Sequence, residues 1–410
     1  MGDSSLNICM FSNLYYPIVS GSSTQSRYLA RELVRRGHRV TFITARVQKD
    51  TPEHEIADGV EVYRIPATLM PKIPLAFNFP WLSYTFTRGN LHLLETIIRR
   101  CRPDVLHLHN HMFDLAFSAV RMAKRFNLPL VITFHTVIKH SNPLYNMILY
   151  PGDRVFLRHT VVKKAQRLIC PDMNMQDYVH RAHNGVPTAM IPYGINLLEA
   201  PPQQKVEELR GRYGLGGKRV ILSLGHVHEV RNRRDEIKAL PTIRQAIPNA
   251  VLLIVGAEMS DTARRLARQV GVEDAVIFTG PRPYDEVPAY LALADIEGHL
   301  FYQDAQDETS LGIATLEAMG AGKAVFVAAN VNSHGAGVLR AGENLILVAA
   351  GKPRELAQSI IDLLRDESKR QRVGQAAHKL VEEHFSWEGV CQKTLNVYQD
   401  TRGQFGARGK

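Results

Sequence analysis

The sequence predicts an α/β protein made of two doubly wound, Rossmann-like domains, each with helices on both faces of a parallel sheet. Short apolar runs alternate with amphipathic stretches from end to end, which is typical of strands and helices layered around such a sheet. The length of 410 residues is sufficient for two to three domains. A stretch with two prolines and no periodicity, 196–204, interrupts the alternation, which then resumes. We therefore predict domains at 1–197 and 198–384, facing each other across a cleft.

The first strand and helix are the clearest elements. The run 7–12 is a buried strand, the stretch 26–36 has its apolar residues on one helical face, and Gly37 follows as a helix end before a strand at 39–44. The connection 16–24 contains small residues and ends in Ser-Ser-Thr, a typical helix start. Backbone amides at such a helix N-terminus attract a phosphate or a developing anion. The alternative is an ordinary loop between a strand and a helix.

The later elements follow the same rhythm. Strands of the first domain are predicted at 60–65, 104–109, 130–135, 167–170 and 188–192. In the second domain we predict strands at 219–224, 249–255, 275–279, 296–301, 324–328 and 344–349, helices at 313–320 and 355–364, and a final helix at 387–398.

Composition and charge exclude several classes of protein. The longest strongly apolar run, 250–256, is far short of the ~20 residues of a membrane span. The N-terminus lacks the pattern of a signal peptide, and the four scattered cysteines suit a reduced, cytoplasmic compartment. The net charge of +10 favours anionic partners such as a nucleotide diphosphate or an anionic membrane surface, with general solubility as the alternative. Basic and aromatic residues do not alternate, so we expect no nucleic-acid partner.

Two polar stretches are candidates for chemistry. His107, His109 and His111 alternate at the end of a predicted strand, so that all three could face one way. Because no carboxylate or cysteine follows at ligand spacing, a histidine that orients or acts on a substrate is favoured over a metal site; a merely hydrogen-bonded histidine is the alternative. The second stretch, 303–322, is a polar loop that enters a helix carrying Glu317. Its amides suit a diphosphate and its acid suits two ribose hydroxyls, unless it is a core loop with a solvated acid.

Common catalytic motifs are missing from the chain. The sequence contains no GxxxxGK[ST] phosphate loop, no GxSxG nucleophile elbow and no HExxH zinc pair. It also has no Asp-x-Asp pair of the kind that binds a metal and a diphosphate together.

Taken in order, these stretches resemble the retaining glycosyltransferases of family 4, which have the GT-B fold. In the first half the resemblance rests on 16–21, LAREL with RRGHRVTFIT, PDVLHLHN and ITFH; in the second it rests on IPYGIN, SLGH, TGPRPYDEVPAYLALADI and, most strongly, SLGIATLEAMGAG at 310–322. The ending FSWEGVCQKTLNVYQ resembles the family's closing helix. This implies a helix at 385–402 that packs back on the first domain, followed by a flexible basic tail at 403–410.

The resemblance implies a donor site. Glu317 matches the second acid of the family's E-x7-E motif, which holds the ribose, while the first acid falls at Thr309 and the nearest acid is Glu308, one place early. His226 and Arg231 occupy the positions of the donor-phosphate Arg and Lys, and His109 matches a histidine near the donor sugar. The residues implied as catalytic are His109, Arg231 and Glu308. The residues implied in donor binding are Ser20, Gly21, Gly225, His226, Arg231, Gly280, Pro281, Arg282, Glu308, Thr309, Ser310, Leu311, Gly312 and Glu317.

The implied reaction is transfer of a sugar from a nucleotide-diphosphate sugar, a UDP- or GDP-sugar, to an acceptor hydroxyl with retention of the anomeric configuration. No metal and no further cofactor are implied, and the acceptor is a small molecule, a glycan or a lipid-linked compound. Two alternatives stay open: a GT-B epimerase acting on the nucleotide sugar, and a non-catalytic homologue that binds it. Arg27, Arg31 and Arg35 on one helical face, with the apolar stretch 69–81, suggest peripheral contact with the inner membrane face. Whether the chain forms a homodimer stays open.

Overall fold

The chain forms two compact units around separate sheets. The computed structural model describes residues 5–18, 20–70, 82–140, 142–225, 232–258, 260–300 and 311–408. Unit 1 comprises Met1–Gly194 together with Trp387–Lys410, and unit 2 comprises Ile195–Ser386. Each unit is an α/β fold with a largely parallel sheet, which confirms the fold class predicted from the alternation of strands and helices.

Unit 1 is built on an eight-stranded sheet. Its strands are β1 (Asn7–Ser12), β2 (Arg39–Arg46), β3 (His54–Ala57), β4 (Val60–Pro66), β7 (Val105–His109), β8 (Leu130–Thr133), β9 (Arg167–Cys170) and β10 (Thr188–Met190); β5 (Thr68–Leu69) and β6 (Ser83–Tyr84) form a separate two-stranded sheet. The order is β10-β9-β8-β7-β1-β2-β4-β3, and only β3 with β4 is antiparallel. The strand order reverses at β1, between β2 and β7. In open parallel sheets, ligands bind outside the carboxyl ends of the strands at such a reversal.

Helices cover both faces of this sheet, so its central strands are continuously apolar. They are α1 (Gly21–Arg35), α2 (Arg88–Cys101), α3 (Leu115–Phe126), α4 (Pro143–Pro151), α5 (Arg158–Thr160), α6 (Met173–His183) and α14 (Trp387–Arg408). A turn of π-helix, Gly152–Leu157, joins α4 to α5.

Helix α1 begins earlier than its sequence indicated. Ser20 is the N-cap, and its hydroxyl accepts a hydrogen bond from the Ser23 amide while the Ser23 hydroxyl accepts one from the Ser20 amide. This reciprocal pair satisfies two amides that have no partner within the helix. The Ser-Ser-Thr run therefore lies inside the first turn, and the predicted start at residue 26 was wrong.

The closing helix α14 packs within unit 1 and is longer than predicted. The ring of Trp387 approaches Gly194 so closely that a Cβ there would lie 2.5 Å from it, so this position requires glycine. Near the other end Thr401 is buried, and Arg402 pairs with Asp104 at 2.8 Å. These contacts continue the helix through Arg408. The expectation of a flexible tail from residue 403 was therefore wrong for 403–408.

Helix α4 of unit 1 spans nine residues and none of them is buried. Large apolar side chains of α4 and the following π-helical turn are 56% to 73% exposed: Leu144, Met147, Ile148, Val155 and Phe156. We refer to these five residues as the α4 patch. Among the described residues, no helix combines the length and the hydropathy that crossing a bilayer requires.

Unit 2 repeats the architecture with six parallel strands. They are β11 (Arg219–Leu224), β12 (Ala250–Val255), β13 (Val276–Phe278), β14 (Ile296–His299), β15 (Ala324–Val327) and β16 (Ile346–Leu347), in the order β13-β12-β11-β14-β15-β16. The order reverses between β11 and β14. The carboxyl ends of β11 and β14 therefore lie side by side at one edge of the sheet.

The helices of unit 2 bury apolar faces on both sides of that sheet. They are α7 (Gln203–Arg212), α8 (Arg233–Ala246), α9 (Thr262–Gln269), α10 (Val287–Leu293), α11 (Ile313–Gly320), α12 (Pro353–Arg365) and α13 (Glu367–His384). Helix α7 already begins at Gln203, so the irregular segment at 196–204 is slightly shorter than predicted. The helix predicted at 313–320 is confirmed residue for residue by α11.

Candidate functional site

His109 lies at the strand reversal of unit 1. It is the last residue of β7 and stands opposite Ser12, the last residue of β1. Its side chain is buried, and its Nδ1 atom lies 3.0 Å from Nε2 of His135. Nδ1 of His135 lies 3.1 Å from the Tyr193 hydroxyl, and these two rings stack with centroids 5.6 Å apart. The His109 ring is therefore held by contacts that run through His135 to Tyr193.

The other ring nitrogen of His109 has no partner. Nε2 is buried and makes no hydrogen bond to any described residue. If the Tyr193 hydroxyl donates to His135, then His135 donates to His109, and Nε2 of His109 carries its ring hydrogen. If His109 donates to His135, Nε2 is instead an acceptor. Tyr193 and His135 thus decide which hydrogen-bonding role His109 offers to a substrate.

His107 is fully engaged inside unit 1. Its Nδ1 atom lies 2.6 Å from the Tyr398 hydroxyl of α14, and its Nε2 atom lies 2.7 Å from Oγ1 of Thr133. Its ring lies 4.2 Å from that of His109 on the same face of β7. Because both ring nitrogens of His107 already have partners, neither can bind a substrate. The His107 ring instead packs against that of His109.

The prediction that all three histidines face one way was wrong for His111. The strand ends at His109, and Asn110 adopts a left-handed backbone with φ of +71°, which redirects the chain. His111 then turns into the interior, where its Nε2 atom lies 2.9 Å from Oδ1 of Asp153. The period-two argument failed because it applies only while the backbone is extended.

Burial keeps the histidines of this region neutral. It lowers the pKa of both His107 and His135 to about 3, because each ring is removed from water and His107 also faces another imidazole. For His109 the same burial lowers the pKa well below its ordinary value. At neutral pH these side chains are uncharged and act as hydrogen-bond donors and acceptors, not as cations.

Acid should therefore destabilise unit 1. Between pH 6.5 and about 3 the unfolded chain binds protons at His107 and His135 that the folded chain does not. Each histidine then lowers the free energy of unfolding by up to about 1.4 kcal/mol per pH unit as the pH falls. His135→Gln should reduce this slope, measured by urea unfolding from pH 7 to 5, whereas His92→Gln on the exposed face of α2 should not. An unchanged slope in His135→Gln would mean that folded His135 is charged.

Ser20 and Gly21 form the start of α1 beside the same strand reversal. Ser20 uses its hydroxyl to cap the helix, so its side chain has a structural role. A Cβ at Gly21 would meet no atom within 4 Å, and the first turn contains no acidic residue. The positive end of the α1 dipole is thus not neutralised locally, as an anion site requires.

Glu317 is the central acid of unit 2. It lies in the second turn of α11, is only 6% exposed, and its Oε1 atom accepts a 2.5 Å hydrogen bond from the Tyr284 hydroxyl. Burial raises its pKa, and the bond from Tyr284 acts in the opposite direction. A buried carboxylate held by one hydroxyl is suited to accept further hydroxyl hydrogen bonds. Tyr284 was missed by the sequence argument, although it lies in the stretch TGPRPYDEV that carried the resemblance.

The N-terminus of α11 is formed by Leu311 and Gly312. Leu311 is buried, and Gly312 is an N-cap without a side chain. That turn contains no acidic residue. Glu317 and this positive helix end belong to the same short helix, which follows β14 in the chain.

Two turns with positive φ border this edge of unit 2. Gly225 follows β11 with φ of +118°, and its amide donates to the Val255 carbonyl at 2.8 Å. Gly280 has φ of +71°, and its carbonyl accepts from the Gly256 amide at 3.1 Å. After Pro281, the guanidinium of Arg282 donates back to the Thr279 carbonyl. The predicted residues Gly225 and Gly280–Arg282 are thus backbone turns at the ends of β11 and β13.

Arg233 is a buried cation that the sequence argument missed. Its guanidinium donates to Oγ of Ser223 and, at 3.3 Å, to the Gly225 carbonyl, and it lies 3.8 Å from the carboxylate of Glu236. It thereby anchors the turn after β11. The other predicted donor residues, His226, Arg231, Glu308, Thr309 and Ser310, lie outside the described residues.

Comparison with known proteins gives matches along the whole chain. Residues 19–198 match the family model described as glycosyltransferase family 4, and residues 205–380 match the one described as glycosyl transferases group 1. The chain is 26% identical to the alpha-monoglucosyldiacylglycerol synthase of Streptococcus pneumoniae over 335 residues, 79% of this chain and 71% of that protein. It is 28% identical to a glycosyltransferase of Methanocaldococcus jannaschii over 411 residues, 96% of this chain and 98% of the other.

The fold also matches solved structures. Anabaena HepE, in complex with UDP and glucose, aligns with a TM-score of 0.67 at 16% identity, over 96% of this chain and 100% of that one.

Proposed function

The chain belongs to the family 4 glycosyltransferases, enzymes with the GT-B fold that act on nucleotide sugars, and we propose that it transfers a sugar to an acceptor hydroxyl with retention of the anomeric configuration and without a metal ion. The observation that carries the proposal is the pair Glu317 and Tyr284 together with the start of α11, whose N-cap Gly312 has no side chain and whose first turn has no acid. A buried carboxylate suits the ribose hydroxyls, and a helix start without acids suits the diphosphate. The UDP bound to HepE supports a UDP-sugar as donor, with a GDP-sugar as the alternative.

The protein's contribution to the reaction is mainly electrostatic. The bond between the anomeric carbon and the diphosphate oxygen breaks, the acceptor oxygen bonds to the same face of that carbon, and the acceptor proton passes to the departing phosphate. Negative charge grows on the phosphate, so preorganised donors lower the barrier. We assign this role to Arg231, His226 and the α11 amides, and contact with the donor sugar to the segment containing Glu308 and Thr309.

His109 contributes a directed hydrogen bond in this proposal. Its unpartnered Nε2 atom contacts a hydroxyl of the donor sugar, and His135 and Tyr193 behind it hold the ring and set its tautomer. Because burial keeps His109 neutral, it orients the sugar without adding charge. Proton removal from the acceptor is left to the departing phosphate.

Screening of nucleotide sugars by thermal shift, followed by incubation of the best donor with and without acceptors, tests the proposed function. We expect a raised melting temperature with one nucleotide sugar and, with an acceptor, a product whose anomeric proton coupling matches that of the donor. An epimerised nucleotide sugar without acceptor would instead support the epimerase alternative. Donor binding without turnover for any acceptor would support a non-catalytic role.

Turnover should not require a divalent cation at the diphosphate. After brief treatment with excess chelator, titration with Mg²⁺ or Mn²⁺ should change kcat by less than about twofold, because cationic side chains and amides fill the role such an ion would have. Activity that is lost in chelator and restored by Mg²⁺ or Mn²⁺ would contradict the metal-free leaving-group assignment.

We also propose a lipid-linked acceptor at the inner membrane face, supported by the name of the S. pneumoniae relative and by the α4 patch. Of the arginines that the sequence suggested for membrane contact, Arg27 pairs with Asp58, and Arg35 shares Glu32 with Arg36. The exposed apolar side chains of α4 are the better candidate for insertion among headgroups.

Sedimentation with vesicles containing anionic lipid tests the membrane contact. We expect cosedimentation at low salt that Ile148→Glu combined with Phe156→Glu reduces at least fivefold, because each change places a charge where an apolar side chain would insert. Ile56→Glu, equally exposed on β3, is the matched control and should bind like the parent. If the parent protein does not sediment with the vesicles, the α4 patch does not bind a membrane. If the double variant instead loses a dimer that the parent forms, the α4 patch contacts another copy of the chain.

A further inference from the structure

Three buried side chains in unit 1 converge away from the His109 network. His111 comes directly after β7, Asp153 lies in the π-helical turn, and His183 is the last residue of α6. All three are at most 1% exposed, and one ligand atom from each lies within 4.8 Å of the other two. The three elements are far apart in sequence, so this convergence is produced by the fold.

Two of the three distances are close to those between ligands of one metal ion. Oδ1 of Asp153 lies 2.9 Å from Nε2 of His111 and 3.1 Å from Nε2 of His183. Two tetrahedral ligands that are each about 2.05 Å from an ion are separated by roughly 3.3 Å. His183 makes the stronger case, because its Nε2 atom lies near Oδ1 and yet has no hydrogen bond in the described structure.

The charge balance also favours a cation. Among the described residues, Asp153 has no arginine or lysine partner; its partners are the two histidines and the hydroxyl of Tyr178, which donates to Oδ2. The ring of Phe134 lies 4.3 Å from that of His111 and 5.4 Å from that of His183. A carboxylate enclosed by imidazole and aromatic rings is costly to bury without a compensating positive charge, which a bound cation would supply.

We propose that His111, Asp153 and His183 bind a structural Zn²⁺ ion. Two imidazole nitrogens and one carboxylate oxygen are ligands that zinc accepts, and a water molecule would complete a tetrahedral set. The hydrogen bond from Tyr178 orients the carboxylate, as outer partners of metal ligands commonly do. The ion ties the segment after His109 to the π-helical turn and to α6, and it is separate from the diphosphate site of the proposed function.

Metal analysis of untagged, full-length protein tests the proposal. Protein expressed with Zn²⁺ should contain about one zinc per chain by mass spectrometry, and unfolding in chelator should release it. Refolded metal-free protein should gain melting temperature on addition of Zn²⁺, and Co²⁺ in its place should give the visible absorption of a tetrahedral site. Less than about 0.2 zinc per chain, with no thermal shift by Zn²⁺, would overturn the proposal and leave a hydrogen-bonded carboxylate.

Variants locate the ion within the chain. His183→Gln and Asp153→Asn keep the approximate volume of the side chains and should each reduce the zinc content at least tenfold. His92→Gln, on the exposed face of α2, should keep the parent's content. If the buried variants fail to fold, His111→Cys is the second test, because a thiolate is a zinc ligand and should retain the ion. Zinc content that is unchanged in folded His183→Gln would place the ion elsewhere and overturn the assignment.

Discussion

Replacement of Glu317 by alanine should weaken binding of the nucleotide sugar by roughly 10- to 150-fold. The carboxylate is buried in α11, and among the described side chains it accepts a hydrogen bond from Tyr284, which leaves lone pairs for the ribose hydroxyls. Loss of a charge-assisted contact of this kind costs about 1.5–3 kcal/mol, and 1.4 kcal/mol corresponds to a factor of ten in the dissociation constant. Isothermal titration with the donor identified by thermal shift measures the effect.

Tyr284→Phe is the matched control for this measurement. It removes the hydroxyl that holds Glu317 but leaves the carboxylate in place, so we expect a smaller loss, about two- to tenfold. Melting temperatures must show that both variants fold, because Glu317 also lies within its own helix. If folded Glu317→Ala binds the donor as tightly as the parent, the donor site in unit 2 is wrongly assigned.

Glu308→Ala and Thr309→Ala show in the same assay which of the two residues takes the place of the first acid of the E-x7-E motif. The variant that changes the preference among donor sugars more strongly identifies the residue that contacts the sugar.

Replacement of Arg231 by alanine should lower kcat by about 10²- to 10³-fold, with a much smaller effect on donor affinity. The reason is that charge on the departing phosphate grows between the ground state and the transition state, so a cation there stabilises the latter more. Single-turnover kinetics at saturating donor separate this effect from binding.

Arg231→Lys and Arg234→Ala complete the experiment. Lysine keeps the charge without the bidentate fork and should recover most of the rate. Arg234 is exposed on α8, three residues along, and its removal should leave the rate unchanged. Equal losses of affinity and rate in Arg231→Ala would indicate a contact made already with the bound donor, and no loss would exclude Arg231 from the leaving-group site.

Features that depend on neighbouring residues could be predicted from the sequence. Helix α11 and the buried strands follow from local periodicity, and the strand reversal of unit 1 places His109 at an edge where ligands bind. The start of α1 could not be placed, because Ser20 and Ser22 are both acceptable caps and only the pairing of Ser20 with Ser23 distinguishes them.

Contacts between side chains that are far apart in the sequence could not be predicted from the spacing of residues. His111 was judged unsuited to a metal because no acid follows closely, yet Asp153 lies 42 residues and His183 72 residues further along the chain. Likewise nothing local pairs His135 with His109 or Tyr284 with Glu317. Parallel sheets bring the ends of distant strands together, and the sites of such folds are therefore assembled from residues that sequence windows cannot connect.

The contact between Tyr398 and His107 has a consequence for how the protein is made. The ribosome completes β7, all of unit 2 and the first half of α14 before the Tyr398 hydroxyl that bonds to His107 exists. During synthesis, unit 1 therefore presents the uncovered apolar face on which Val390, Cys391 and Leu395 later pack. In a nascent chain halted within unit 2, this face would be exposed and His107 would lack its hydrogen bond to Tyr398. Unit 1, though first to emerge, is the last to be finished.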